Sequence, residues 1–170
     1  MRSLVVVLMV VCVLAGCKNE KPKEVVLNAT QTAPVLANAM PQLTVTQTDG
    51  TTISMKELTG KVLLVCYNPD CDHCQREAKR ISDTKDMIKD YQVYFLTPSV
   101  KNQSSEVENF AKEYKLIEPN IHFVTADVTP IIAAIGSINT VPTFFVFRDQ
   151  VLIKRLEGEI PMEQLRAVLQ

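Results

Sequence analysis

The chain has 170 residues, of which 46% are hydrophobic, and a formal net charge of −1 at pH 7. This hydrophobic content excludes an intrinsically disordered chain, and the lack of a basic excess excludes nucleic-acid binding. Once an N-terminal leader and a tether are set aside, roughly 130 residues remain, which suffices for one domain with a sizeable core.

The first 17 residues have the pattern of an export signal. A basic Met1-Arg2 precedes an almost uninterrupted apolar run from Leu4 to Ala15, which is shorter than the about 20 residues of a membrane span. The sequence Leu14-Ala15-Gly16-Cys17 resembles the lipobox of bacterial lipoproteins. This resemblance implies that residues 1–16 are a cleaved signal peptide and that Cys17 is lipidated. We therefore expect a lipid-anchored protein of the bacterial cell envelope whose domain faces the periplasm, at either the inner or the outer membrane.

Residues 17–40 are the predicted lipidated N-terminus and flexible tether. The segment from Lys18 to Pro41 contains three prolines, is poor in aromatic residues and shows no sustained periodicity. A segment of this kind lets a small domain reach partners at a distance from the membrane. The predicted folded domain therefore spans residues 41–170.

Within the domain, a predicted β-hairpin is followed by strands that alternate with helices. Asp49-Gly50 is the turn signal of the hairpin, because apolar residues alternate with period two on both sides of it. The predicted strands cover residues 43–47, 51–55, 61–67, 92–97, 121–125, 143–147 and 151–156. The predicted helices start near residues 71 and 104 and cover residues 129–135 and 161–169, with one further helical turn over 55–58.

Helical spacing also predicts which residues of the two longer helices are buried. In the helix that starts near residue 71, these are Ala78, Ile81, Ile88 and Tyr91. In the helix that starts near residue 104, they are Val107, Phe110, Ala111 and Tyr114. Alternating strands and helices indicate parallel pairing, and the final hairpin adds antiparallel strands, so the expected fold class is α/β with a mixed sheet.

The motif Cys71-Asp72-His73-Cys74 places two thiols three positions apart, where a strand gives way to a helix. Cys71 falls at the helix N-terminus, where unpaired N–H groups and the helix dipole favour a thiolate. We expect His73, when protonated, to favour that thiolate and Asp72 to oppose it. Cys71 is therefore the predicted attacking thiol and Cys74 the predicted resolving thiol. The redox group is the Cys71-Cys74 disulfide itself, and no separate cofactor is expected.

Cys66 is the remaining thiol of the domain and has a different predicted role. It lies in the middle of an apolar run from Val62 to Tyr67. A cysteine in such a run behaves as a small buried hydrophobic residue. We expect Cys66 to be part of the core.

The order of the elements, the Cys71-Asp72-His73-Cys74 motif and Val141-Pro142-Thr143 resemble the thioredoxin fold. More narrowly, the chain looks like the TlpA/ResA-like thiol-disulfide oxidoreductases of the thioredoxin and AhpC/TSA superfamily, over about residues 40–170. The resemblance implies a mixed central sheet flanked by helices, with an N-terminal β-hairpin and an inserted helix. It also implies that Pro142 is cis beside the cysteines and that the backbone of Val141 pairs with the substrate chain.

Two family features have no match in the sequence. Val65 stands where thioredoxins often carry a buried carboxylate, and the glutamate that serves the TlpA/ResA group has no clear counterpart. Proton transfer at Cys74 is therefore expected to use Asp70, Asp72 or water.

The predicted function is thiol-disulfide exchange with cysteine-containing envelope proteins and with a thiol-disulfide electron donor or acceptor, the reductase direction being slightly favoured. Three alternatives are open. A metal site at Cys71, His73 and Cys74 lacks a second cysteine pair and has only His122 as a further histidine. A peroxiredoxin is disfavoured, because Asn68 replaces the threonine of that family. A binding or assembly module would keep the two cysteines as a static disulfide.

Overall fold

The computed structural model describes residues 38–99 and 104–170. The predicted signal peptide, the lipidation site Cys17 and the tether up to residue 37 lie outside these residues. In the described part of the chain, every helix falls short of the length and apolar character that a membrane crossing requires.

The described residues form seven strands and four α-helices. The strands are β1 Thr44–Gln47, β2 Thr52–Ser54, β3 Lys61–Cys66, β4 Gln92–Pro98, β5 Ile121–Ala126, β6 Thr143–Arg148 and β7 Val151–Glu157. The helices are α1 Asp72–Asp83, α2 Ser104–Glu113, α3 Val128–Ile135 and α4 Met162–Leu169, with 3₁₀ turns at Met55–Glu57 and Lys85–Met87. The predicted α/β fold with its N-terminal hairpin is confirmed.

All seven strands belong to one mixed sheet in the order β2-β1-β5-β4-β3-β6-β7. The pairs β3/β4 and β4/β5 are parallel, whereas β6 pairs antiparallel with both β3 and β7. Strand β3 is buried from Val62 to Cys66 because it is an interior strand covered on both faces, which explains its continuous apolar run. Its last residue, Cys66, pairs with Thr143 at the start of β6. This register brings the cysteine motif after β3 close to Val141-Pro142 before β6.

Two apolar layers enclose the sheet. On one face, α1, α2 and α4 contribute Ala78, Ile81, Val107, Phe110, Leu165 and Leu169. On the other face, α3 contributes Ile131 and Ile135, β1 contributes Val45, and the 3₁₀ turn after β2 contributes Met55. Cys74 belongs to the first layer and Cys66 to the second.

One predicted helix is too long. Ile88 and Tyr91 are buried, as expected, but α1 ends at Asp83 and both residues lie after it. The Thr84 hydroxyl donates to the Arg80 carbonyl at 2.7 Å, and the Thr84 N–H donates to the Ile81 carbonyl at 3.1 Å. The chain therefore tightens into a 3₁₀ turn. Tyr114 likewise follows α2 and is only partly buried.

Candidate redox site

Cys71 caps the N-terminus of α1. Its backbone is extended, with φ −93° and ψ 117°, and the helix begins at Asp72. The Cys71 N–H donates to the Asn68 carbonyl at 3.1 Å, and the Asp70 N–H donates to the Asn68 side chain at 3.0 Å. The Gln75 amide closes the same turn by donating to the Pro69 carbonyl at 2.9 Å. These bonds fix the position of Cys71 beyond the carboxyl end of β3.

The two thiols of the motif differ in accessibility. Cys71 is partly exposed, whereas Cys74 is buried one helical turn further along. Burial raises the pKa of Cys74 to about 12, with smaller contributions from the neighbouring Cys71 and from Glu77. The structure thus places Cys71 where a partner protein can reach it and keeps Cys74 behind it.

The loop before β6 lies directly beside Cys71. The Val141–Pro142 peptide bond is cis, as the resemblance implied. The Cys71 Sγ atom lies 4.0 Å from the Val141 carbonyl oxygen. The Pro142 carbonyl accepts a hydrogen bond from the Gly158 N–H at 2.7 Å, which ties this loop to the end of β7. The residues expected to meet a substrate chain therefore stand next to the accessible thiol.

A buried carboxyl group stands beside Cys74, and the sequence interpretation missed it. Glu77 is only 1% exposed and lies three residues after Cys74 on α1. Burial raises the pKa of Glu77 to about 7, although Arg80 opposes this rise by donating to Oε2 at 3.1 Å. The other oxygen, Oε1, has no hydrogen-bond partner among the described residues.

The sequence showed no clear counterpart of the family glutamate, but the structure places the buried Glu77 one helical turn after Cys74. Asp70 and Asp72, the acids proposed instead, are both exposed at the surface. A signal was present in the sequence, because position 77 shares the helical face of Cys74, Ala78 and Ile81. A glutamate on an apolar stripe indicates a buried carboxyl group.

His73 points to a carboxylate of another element. Its Nδ1 atom lies 2.5 Å from Oε1 of Glu159, in the turn between β7 and α4. Hydrogen bonds from Arg76, and secondarily from His73, lower the pKa of Glu159 to about 2. Any positive charge on His73 is therefore partly balanced by Glu159. The influence of His73 on Cys71, like that of Asp72, stays a prediction.

Cys66 lies in the core, as predicted. It is buried, and this burial raises the pKa of its thiol to about 12. Because successive residues of a strand face opposite sides, Cys66 is on the sheet face away from Val65 and Tyr67, which pack with Cys74.

The geometry does not favour the metal alternative. Within residues 38–99 and 104–170, no group of three or more histidine, cysteine and acidic side chains is placed to hold a metal ion. His73 is engaged by Glu159, and the only other histidine, His122, stacks on Tyr94 with ring centroids 4.8 Å apart.

An apolar groove of about 540 Å³ opens beside the cysteine motif. Val141 and Asn68 line its end near Cys71, and Cys66 lies along its wall. The start of α3 forms the opposite side with Val128 and Ile132, two large apolar side chains that are about half exposed. Sequence patterns did not predict this groove, because four separate segments of the chain build it.

A mixed sheet flanked by helices, with a Cys-x-x-Cys motif at a helix start beside a cis-proline, defines a thioredoxin-fold protein. The profile of the thioredoxin-like domain family matches residues 48–170. The chain belongs to this family. No match to the chain was found among the curated proteins.

Solved structures show the same fold at low sequence identity. A secreted disulfide oxidoreductase of Mycobacterium tuberculosis, homologous to Escherichia coli DsbE, is 17% identical with a TM-score of 0.62, over 75% of this chain and 94% of that one. StoA of Bacillus subtilis is 22% identical with a TM-score of 0.59, over 78% and 99%. Copper-bound ScoI of Arabidopsis thaliana is 18% identical with a TM-score of 0.61, over 78% and 96%. The expected thioredoxin-like fold is confirmed.

Proposed function

We propose that the chain is a thiol-disulfide oxidoreductase of the bacterial cell envelope, which exchanges its Cys71-Cys74 pair with cysteines of other envelope proteins. The observation that carries this proposal is the accessible Cys71 next to the buried Cys74, with the Val141 carbonyl 4.0 Å from the Cys71 sulfur. Exchange requires this arrangement, because one thiol must meet the partner while the second waits to resolve the mixed disulfide.

In the reductase direction, the Cys71 thiolate attacks one sulfur of a client disulfide. A Cys71–client disulfide forms, the client S–S bond breaks, and the second client sulfur leaves as a thiolate that takes a proton from water. Cys74 then loses its proton and attacks Cys71. This second step breaks the mixed disulfide and releases the first client sulfur as a thiolate, which takes a proton from water. Two electrons have then moved from the protein to the client. The oxidase direction is the same sequence in reverse.

Glu77 is the proposed acceptor of the Cys74 proton. Its pKa of about 7 leaves a large share of the carboxyl group ionised at neutral pH. The charge of Cys71 raises the pKa of Cys74 in the free protein. That charge disappears once Cys71 is bound in a mixed disulfide, so Cys74 gives up its proton more readily at the stage when it must attack.

The client chain is proposed to pair with the backbone of Val141 and to place an apolar side chain in the adjoining groove. The groove begins at Val141 itself, so a chain held there extends over Val128 and Ile132. Burying one large apolar side chain contributes about 1.5–3 kcal/mol. Clients with a large apolar residue beside their cysteine are therefore favoured.

Attachment to the membrane through a lipid on Cys17 belongs to the same proposal and rests on the lipobox pattern of residues 14–17. Several acyl chains, each contributing about 0.8 kcal/mol per buried methylene, would hold the protein at the membrane surface. The proposed partners are cysteine-containing envelope proteins and a thiol-disulfide electron donor or acceptor, the reductase direction being slightly favoured.

The test combines a reduction potential with trapping of the mixed disulfide. We expect a reversible two-electron couple in dithiothreitol or glutathione buffers, near −270 mV for a reductase or near −120 mV for an oxidant of folding proteins. Cys74→Ser should accumulate a covalent adduct with a disulfide peptide, whereas Cys71→Ser should not. Cys66→Ala is the control and should keep the wild-type couple. A Cys71-Cys74 bridge that resists reduction and never turns over would refute the proposal and leave a binding module.

A further inference from the structure

Glu159 lies in a turn that contacts both halves of the redox site. The residue before it, Gly158, donates its N–H to the Pro142 carbonyl beside the cysteines. Its own carboxylate faces α1 and accepts hydrogen bonds from side chains spaced three and four residues apart on that helix. These are His73 at 2.5 Å, Arg76 Nε at 2.9 Å and Arg80 Nη2 at 3.3 Å.

Arg80 divides its guanidinium between two carboxylates. Nη2 reaches Oε2 of Glu159, while Nη1 lies 3.1 Å from Oε2 of the buried Glu77 and 3.4 Å from the Ile160 carbonyl. Arg80 is therefore the link between the partly exposed Glu159 and the buried carboxyl group beside Cys74. Charged or titratable side chains stand at both ends of this link: Glu77 and Cys74 at one end, and Glu159, His73 and Arg76 at the other.

We propose that Glu159 is a positioning residue of the redox site: by sharing Arg80 with Glu77, it keeps the charge of Glu77 only partly neutralised and so keeps this carboxyl group able to hold a proton. The inference rests on the proposed function, in which Glu77 takes the proton of Cys74. It goes beyond that function because it assigns control of the acceptor to a residue on a different element.

Two effects of Glu159 on Glu77 have the same sign. The negative charge of Glu159 disfavours a second negative charge nearby, and its hold on Nη2 keeps Arg80 from serving Glu77 alone. Glu159→Gln removes the negative charge and weakens the hold on Nη2, so Glu77 should ionise at lower pH. Arg80→Gln removes the cation, so Glu77 should ionise at higher pH. The two substitutions therefore act in opposite directions.

The test is a titration of the Glu77 carboxyl carbon by nuclear magnetic resonance in the full-length, reduced protein. The Glu77 signal is assigned by its loss in Glu77→Gln. We expect its midpoint to move down by about one pH unit in Glu159→Gln and up by a similar amount in Arg80→Gln, the low end of the effect of a nearby charge. Glu157→Gln is the matched control, because Glu157 is close in sequence and pairs with Arg155 instead of Arg80.

A second readout separates this inference from the proposed function. The rate at which Cys74 resolves a Cys71–peptide disulfide is followed against pH in the same variants, and its inflection should move with the Glu77 midpoint. An unchanged or raised midpoint in Glu159→Gln would overturn the inference, whatever the redox activity. A wild-type protein that resolves no mixed disulfide would refute the proposed function, while the Glu77 titration would still report on Glu159.

Discussion

Glu77→Gln should change the dependence of stability on pH, because the carboxyl group is buried in the folded protein and exposed in the unfolded chain. Burial raises its pKa from 4.5 to about 7, with Arg80 only partly compensating. The folded protein therefore binds this proton more tightly than the unfolded chain does. Stability consequently falls as pH rises from about 4.5 to about 7 and then stays at the lower value.

The size of this effect follows from the two pKa values. Each unit of pKa difference corresponds to 1.36 kcal/mol, so an ionised Glu77 costs the folded protein about 3 kcal/mol above pH 7. At pH 4 the carboxyl group is protonated in both states and contributes no difference. Glutamine resembles the protonated form, so Glu77→Gln should match the wild type at pH 4 and exceed its stability by up to about 3 kcal/mol at pH 8.

The assay is urea denaturation of the reduced proteins at a series of pH values, with the wild-type free energy of unfolding subtracted from that of the variant. Subtraction removes the contributions of all groups that titrate alike in both proteins. Glu108→Gln, a substitution at the surface of α2, is the control and should give a flat difference. A flat difference for Glu77→Gln, or one that favours the wild type as pH rises, would refute the reasoning from burial.

Two further substitutions test the groove and the core. Ile132→Asn should lower kcat/KM about tenfold for a disulfide peptide with leucine beside its cysteine, but not for glutathione disulfide, because about 1.4 kcal/mol of apolar burial is lost. Ile153→Asn is its control, because Ile153 on β7 is 46% exposed compared with 45% for Ile132. An equal loss of kcat/KM in both variants would contradict the groove assignment. Phe144→Ala should lower the free energy of unfolding by about 3–5 kcal/mol in denaturant titrations, because the ring is fully buried; a loss below about 1 kcal/mol would show that the ring is not packed in the core.

The elements and the cysteine motif could be predicted because their signals are local. A continuous apolar run identified β3, the turn signal Asp49-Gly50 identified the hairpin, and the resemblance at Val141-Pro142 implied the cis bond. Helical periodicity predicted the wrong end of α1, because the turn after the helix keeps apolar residues at helical spacing. Ile88 and Tyr91 continue the stripe of α1 although the helix has already ended at Asp83.

The acid and arginine side chains around the motif could not be predicted in the same way. Arg76 and Glu159 are 83 residues apart in sequence, and their contact exists only because the turn after β7 packs on the first turns of α1. The apolar stripe of α1 indicates that Glu77 is buried, but its link through Arg80 to Glu159 depends on the same packing. The spacing of charged residues on a helix shows which side chains share a face, but it does not show which other element packs against that face.

Cys66 and Cys74 are both buried thiols, but their surroundings differ. Burial raises the pKa of both thiols to about 12, so burial alone cannot assign the resolving role. Cys74 has an accessible cysteine before it and a carboxyl group one helical turn after it, both of which act on its ionisation. The alternation of β3 turns Cys66 to the opposite face of the sheet, away from Glu77. In the proposed function, Cys74 therefore differs from Cys66 by its neighbours Cys71 and Glu77 and not by its burial.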